Sequence, residues 1–544
     1  MADRTTATMI LDSPLLRTRA GCVVTTLLLC LGIGMRVKNL EIPTGRSPDE
    51  TNYTLQANRL LNEGTTAGLR GIAAEYQSDP AARLAGPPTR AGYLWLLAAT
   101  LHISGRVTGK SDASAGAILS CATSIGSLLM LTLIGIRFFP PWATLFAMLF
   151  FIVSPVEQEL ARRAWADALV GFLGLAVVYT AAEITRDSTR RFWQVAFILL
   201  GCIGIVVKEF GAVIFALCAA WVLWVMLVQR KQRREGLALM AAGLAGTLAS
   251  IGWLAYSVDG VGSLVQIVLD WRGAHVGNLY AMEYQSGPGT FLLRAFYVIS
   301  PMAGVLCAVG LAVLLISRWK PRWMPAAAAD EADPADWQTL RWIAIFSLGF
   351  LALPMILPNW LNLRYVSVLF GPFYLLAGLG FWLVASLGGN RMKGIPHKLF
   401  AAVLIVGVVI GAASDDKRFD RIFVWDGVGD LSVKLILDRA DLFAAEKQVK
   451  RAPTAENYLT LCWRYEQNWR YKDSIAACQK ALQLRPDYAE AYDQLAVAYV
   501  DLELWNDAIQ AAQRALQLNP QLLKAQANLA RSIAQKRSRD EVAK

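Results

Sequence analysis

Ala91-Gly-Tyr-Leu-Trp-Leu-Leu-Ala-Ala-Thr-Leu-His-Ile-Ser104 is the stretch on which the reading of this chain turns. As a helix these residues would reach about 21 Å, short of the roughly 30 Å of hydrocarbon in a bilayer. They are expected to form a helix lying on a membrane surface. Eleven longer apolar runs surround them, at about 20–36, 114–136, 143–160, 168–184, 193–207, 211–228, 237–257, 295–316, 342–357, 366–387 and 399–414, each of near-spanning length. With 91–104 excluded and the N-terminus inside, Arg4, Arg17, Arg19, Arg137, Arg186, Arg230, Lys231, Arg233, Arg234 and their neighbours gather on the cytoplasmic side, and the short outer loops hold few cations. Counting 91–104 as a span inverts most of that asymmetry. The run at 20–36 has no small-residue cleavage site before Arg36 and Lys38, and reads as an uncleaved anchor.

Composition fits this map. The 544 residues are 55% hydrophobic and only 17% charged, too apolar for an ordinary soluble protein, and the 42 Gly, 18 Trp and 8 Cys exclude collagenous, disordered and disulfide-scaffold classes. The net charge of +11 is explained by loop orientation and calls for no nucleic acid. Three parts fall outside the membrane on its outer face: a first loop at 37–113, a loop at 258–294, and everything after about 415. The cytoplasm is left with short loops. The chain has neither a phosphate-cradling Gly-Lys loop nor a dinucleotide fingerprint, so a group donor should arrive within the membrane.

From about 455 residues recur 34 apart: Tyr458 as Tyr492, Leu461 as Leu495 and Leu529, Tyr465 as Tyr499, Asp473 as Asp507, Ala481 as Ala515, Pro486 as Pro520. This pattern resembles the tetratricopeptide repeat, in which small and aromatic residues interlock antiparallel helix pairs. Two units and one extra helix are present, so 430–450 is a candidate capping helix. The expected organisation is a membrane domain at 1–414, a linker with a cap at 415–454 and a repeat domain at 455–544. Such a repeat offers a concave surface for a protein or peptide, or packs on its own membrane domain or a second copy. Cys462 and Cys478 fall on the two helices of the first unit. They read as buried thiols in small-residue positions, although an oxidising compartment would permit their pairing.

The chemistry is sought in the first outer loop. Ser47-Pro48-Asp49-Glu50-Thr-Asn-Tyr53 reads in two ways: as a helix start, with Ser47 the cap and the acids favouring the positive helix end, or as an acid/base pair beside a membrane. Cations left in short outer loops, namely Arg162, Arg163, Lys208, Arg272, Arg294 and Arg364, need a reason. Lys208 and Arg364 suit a lipid-linked phosphate; Arg162 and Arg272 suit headgroups or pairing with Glu157, Asp167 and Glu209. His102, His275 and His397 lie far apart with no metal-ligand spacing; Asp49, Glu50 and Asp167 could share a divalent ion, but nothing in the spacing supports one, and no cofactor is expected.

The Asp-Glu-x-x-Tyr segment after the first span, a long outer loop closing on Gly86-Pro87-Pro88, and eleven spans together resemble the membrane-embedded C-type glycosyltransferases. The likeness is to the group of protein O-mannosyltransferases, aminoarabinose transferases and Rgt-like proteins called glycosyltransferase family 39, over most of 10–415. It implies an all-α membrane enzyme that moves a sugar from a polyprenyl-phosphate donor to an acceptor on the outer face of a bacterial-type inner membrane. Asp49 would be the general base and Glu50 the second catalytic residue, with Glu50 and Asp167 positioning the acceptor or orienting a basic residue. Arg162-Arg163-Ala-Trp-Ala-Asp167, Lys208 and the pair Arg364-Tyr365 match further pieces of the pattern, and Tyr53, Arg163, Asp167, Lys208, Arg364 and Tyr365 are the implied substrate-binding residues. The chain departs from the family at Gly86, where a basic residue is usual, and at Glu209, where a glycine is usual; Arg83 or Arg90 are the substitutes at hand. Two other readings compete. A lipid-linked polysaccharide ligase or polymerase would use the 258–294 loop, with Asp270, Arg272, His275 and Glu283. A transporter with a docking domain would place polar groups at mid-membrane, which this chain does not.

Overall fold

The computed structural model describes residues 14–40, 48–79, 83, 86–109, 112–276, 282, 284–316, 334–357, 359–391, 395–424 and 431–542. Among these the regular elements are helices, and the only strand-like pairing is one isolated bridge between Asn362 and Ser432. The chain divides into two compact units, Met1–Val433 and Lys434–Lys544.

All eleven apolar runs lie on helices in the first unit. Among the described residues seven helices are long and apolar enough to cross a membrane, eight if a bent pair counts as one span, and Arg191–Val207, Thr290–Ile299 and Pro301–Leu315 are shorter apolar helices. The run expected at 295–316 is two helices because Pro301 offers no N–H to continue the ladder. Pro155 divides the run at 143–160 in the same way. Ser154 accepts from Glu157 N at 3.4 Å and caps a new helix, and Pro141–Ile152 and Pro155–Ala161 bend by 56°. The bend carries Glu157, Gln158 and Glu159 out of the apolar run. Many outward side chains of this unit are large and apolar, such as Leu27, Leu244, Val403 and Ile410, a surface that suits lipid and not water.

Ala166–Arg186 is almost wholly buried and is the central helix, packed by Ala113–Phe138, Arg191–Val207 and Glu209–Leu223. Polar bonds tie several helix ends to one level: Arg36 Nε donates to Ser124 Oγ at 2.8 Å, Asn39 to Gln158 Oε1 at 3.0 Å, and Ser120 Oγ to the Trp165 carbonyl at 3.2 Å. The deciding stretch forms the helix Ala91–Thr108, packed on Pro48–Glu63, Ala113–Phe138 and Arg191–Val207 at that same end. Gly92 lies against Val206, and Leu97 reaches Gly116 beside Ala164.

In the second unit, Ala455–Gln467 and Tyr471–Leu484 form one antiparallel pair, Ala489–Asp501 and Trp505–Leu518 the next, and Leu523–Val542 follows. Ala477, Ala481, Ala508, Ala512 and Ala515 are buried where the helices touch, as the 34-residue period requires. The helix Val433–Arg451 precedes them, with Asp441 3.2 Å from Arg464 and Glu446 accepting from Tyr465 at 2.9 Å. The thiol reading of Cys462 and Cys478 is overturned: the two are joined in a disulfide, with Cα atoms 5.2 Å apart. The crossing of the first helix pair sets that distance, and sixteen residues of sequence separation say nothing about it.

Candidate active site

Pro48–Glu63 starts with proline in its first turn, followed by Asp49 and Glu50. The Ser47 cap lies outside the described residues. Successive residues of a helix point about 100° apart, and the two carboxylates accordingly meet different partners. Asp49 Oδ2 lies 2.7 Å from Arg364 Nη1, with its side chain 30% exposed. Glu50 is wholly buried, 2.9 Å from Arg163 Nη1 and accepting from Ala164 N at 3.1 Å.

Arg364 is the hub of the first cluster. Asn362 Oδ1 accepts from its backbone N–H at 3.0 Å, and the flanking chain is pinned by Leu363 N to Leu431 O at 2.9 Å and Val433 N to Leu361 O at 3.0 Å. Its Nε donates to Asp167 Oδ2 at 3.2 Å, and its guanidinium lies 4.3 Å from the centre of the Trp165 ring. Asp167, in the first turn of the central helix, takes Lys208 Nζ on its other oxygen at 2.6 Å. Lys208 stands in the turn between Arg191–Val207 and Glu209–Leu223. That turn is tight because Gly204 and Gly211 touch; a methyl on Gly211 would lie 2.0 Å from the Gly204 carbonyl oxygen. Burial, with Arg90 and Arg364 nearby, pushes the Lys208 ammonium down to about 8 against the pull of Asp167. The ammonium also sits over the Tyr365 ring at 5.5 Å and the Phe210 ring at 5.7 Å, and those two rings stack at 5.4 Å.

Gly86 and Glu209 meet here. Gly86 lies so close to Tyr53 that a Cβ would fall 2.6 Å from its ring, so no basic side chain fits there. Arg90 supplies the cation from beyond the double proline. It donates to the Tyr53 hydroxyl and, through Nε and Nη2, to Glu209 at 3.2 Å, and Thr89 Oγ1 also donates to Glu209 at 3.2 Å. Arg83 turns elsewhere, 3.4 Å from Asp270. Burial raises the Tyr53 hydroxyl to about 12, Arg90 opposing and Asp49 adding, so the phenol stays protonated.

Glu50 belongs to a second, closed network. Arg163 Nε donates to Glu159 Oε1 and Arg162 Nε to Glu159 Oε2, both at 2.7 Å, and Arg162 Nη2 reaches the Phe423 carbonyl at 3.1 Å. All four charged side chains are fully buried. Trp165 touches both clusters, its ring centre 5.5 Å from the Arg163 guanidinium and 4.3 Å from that of Arg364. Of the residues singled out in the sequence, Asp49, Asp167, Lys208, Arg364, Tyr365 and Tyr53 thus gather at one place, and Glu50 and Arg163 pair with each other beside it. Glu159, Trp165 and the Tyr93 ring packed edge-on to Tyr53 at 5.1 Å were missed. Only the position of Glu159, three and four residues before the arginines, could have signalled its role. Of the ligase candidates, Asp270 pairs with Arg83 and Arg272 is exposed; the His275 side chain and Glu283 lie outside the described residues.

No protein-family model matches the sequence, and no curated protein does. Among solved structures the chain is similar to ArnT from Cupriavidus metallidurans in the apo state, at 14% identity and a TM-score of 0.46, covering 94% of this chain and 78% of that one. It is also similar to the APC/C hetero-tetramer Cut9-Hcn1, at 13% identity and a TM-score of 0.16, covering 89% of this chain and 98% of that one.

Proposed function

We propose that this chain is an inverting membrane glycosyltransferase, transferring a sugar from a polyprenyl-phosphate donor to an acceptor on the outer face of the cytoplasmic membrane. One observation carries the reading: a partly exposed carboxylate, Asp49, stands 2.7 Å from an arginine that a second carboxylate also holds beside a buried lysine, at the end of a bundle of apolar helices. A reaction that takes a proton from an acceptor and leaves a phosphate anion needs those parts, a base on one side and fixed cations on the other.

The chemistry is a single displacement. Asp49 accepts the proton of the acceptor's hydroxyl or amine, and the freed lone pair attacks the anomeric carbon. The bond from that carbon to the phosphate oxygen breaks, and its electrons leave with polyprenyl phosphate. Arg364 and Lys208 take up the new charge, and Asp167, bonded to both, keeps them aimed at one point. The configuration at the sugar inverts. Glu50 and Arg163 hold the Asp49 helix against the Arg162–Asp167 turn and do not touch the reacting atoms.

In this reading the N-terminus is cytoplasmic, and the first loop and the repeat unit are extracytoplasmic. The Cys462–Cys478 disulfide supports an oxidising location for the repeat. Its helix pairs would present a protein or peptide partner, and lipid surrounds the first unit.

The test compares envelope glycolipids and proteins by mass spectrometry from cells with the wild-type chain, with Asp49→Asn and without the chain. A sugar-sized mass should vanish in the second and third. Retention of activity within about tenfold by Asp49→Asn removes Asp49 as the base.

A further inference from the structure

Asp49 Oδ2 is paired, and so is each cation around it. Arg364 and Lys208 hold Asp167, Arg364 also holds Asp49, and Arg90 holds Glu209. Three acids face three cations, and a phosphate entering this cluster competes with the carboxylates for them. The three carboxylates differ in how hard they are to displace. Asp167 is bound by two cations and its side chain is 2% exposed. Glu209 takes two nitrogens of Arg90 and the Thr89 hydroxyl. Asp49 meets one nitrogen of Arg364 and is the most exposed of the three, so water takes it up when it leaves.

Arg364 is built for such an exchange. Its Nε stays on Asp167 and its plane on Trp165, so the guanidinium keeps its place when Nη1 changes partner. A guanidinium grips phosphate as well as carboxylate, and in the same fork geometry.

We infer that Arg364 latches Asp49 until the phosphate of the lipid donor displaces it, so that donor binding frees the base and the donor must bind before the acceptor can react. This rests on the glycosyltransferase reading and adds a control to it. While Asp49 Oδ2 is engaged by Arg364, the oxygen is not free for the acceptor's proton. Once the phosphate takes Nη1, the carboxylate is released beside the anomeric carbon it has to serve. The latch keeps the acceptor from being activated at a site that holds no sugar.

The experiment measures binding of polyprenyl phosphate, without sugar, to the full-length protein in lipid nanodiscs. Asp49→Asn, which no longer holds Arg364, should bind it about three- to tenfold more tightly than wild type. Arg364→Ala should weaken binding, and adding Asp49→Asn to Arg364→Ala should then change nothing, because no latch is left to open. Simple repulsion between Asp49 and the phosphate would give a gain in both backgrounds, and that result overturns the latch. So does an Asp49→Asn affinity equal to or weaker than wild type; Asp49→Ala repeats the comparison should the asparagine variant not fold. Turnover measured on the same proteins separates the two ideas. Lost turnover with unchanged affinity sinks the latch and keeps Asp49 as base, and tighter binding with turnover intact sinks the base, and with it the control by donor binding, leaving only the exchange of partners at Arg364. If the wild-type protein binds no polyprenyl phosphate, both fall.

Discussion

Asp49 and Glu50 are neighbours in sequence and chemically almost alike, yet one helical step gives them opposite surroundings. Glu50 is buried with a guanidinium and a backbone N–H on its oxygens, inside a network that leaves no charge to the solvent. Asp49 has one visible cation partner and an open side. Buried ion pairs are held by the cost of separating them, whereas exposed pairs exchange readily. The closed network around Glu50 is therefore suited to fixing a helix and the open cluster around Asp49 to chemistry.

Breaking the closed network should produce the largest change in stability. Arg163→Ala leaves Glu50 and Glu159 facing each other in a buried space and should cost about 3–5 kcal/mol, seen as a fall in the thermal midpoint of the purified protein. Asp49→Ala, by contrast, removes only one partly exposed pair and should cost about 1 kcal/mol or less in the same measurement. Equal losses from the two would erase the distinction between the clusters.

A finer cut uses Glu50→Gln, which keeps the shape and the bond from Ala164 N and removes the charge facing Arg163. It should destabilise by about 1.5–3 kcal/mol. Turnover measured below the new midpoint should fall by less than about tenfold, against the 10²- to 10⁴-fold expected of a general base. A Glu50→Gln protein that folds as well as wild type and turns over no substrate would move the base from Asp49 to Glu50.

Much of this was legible in the sequence, and the legible part has a common cause. Lys208 and Arg364 stood out because a membrane protein clears cations from its short outer loops, so each one left behind has a purpose. Asp167 was visible beside Arg162 and Arg163 at the end of an apolar run, and the 34-residue period exposed the repeat directly. The different fates of Asp49 and Glu50 were not legible, since the partner of Glu50 lies 113 residues along the chain and only the folded bundle brings it near. Gly86 and Glu209 looked like two unrelated departures. They are adjacent in space to Arg90 and Tyr53: a Cβ on Gly86 would meet the Tyr53 ring, and Glu209 holds Arg90. The Cys462–Cys478 bond was missed for the same reason as Glu50: it depends on how two helices cross.

The smallest effect concerns the pH at which the open cluster works. Lys208 is held down to about 8 by burial, with Arg90 and Arg364 adding and Asp167 opposing. Because its folded value lies below the ordinary lysine range of about 10.4, the unfolded chain binds the extra proton between those values, and stability rises with pH across that window. In the proposed reaction phosphate binding moves the other way, since the ammonium that would grip the leaving anion is lost as pH passes about 8. The KM for the lipid donor should therefore climb about tenfold per unit above that point, the slope of one proton lost. Lys208→Arg keeps its charge throughout and should flatten that limb, with little change in kcat at neutral pH. Asp167, which holds both cations, should remain bonded to Arg364 in that variant. A donor KM that climbs equally in wild type and Lys208→Arg would assign the phosphate to Arg364 alone and leave Lys208 as a prop for Asp167.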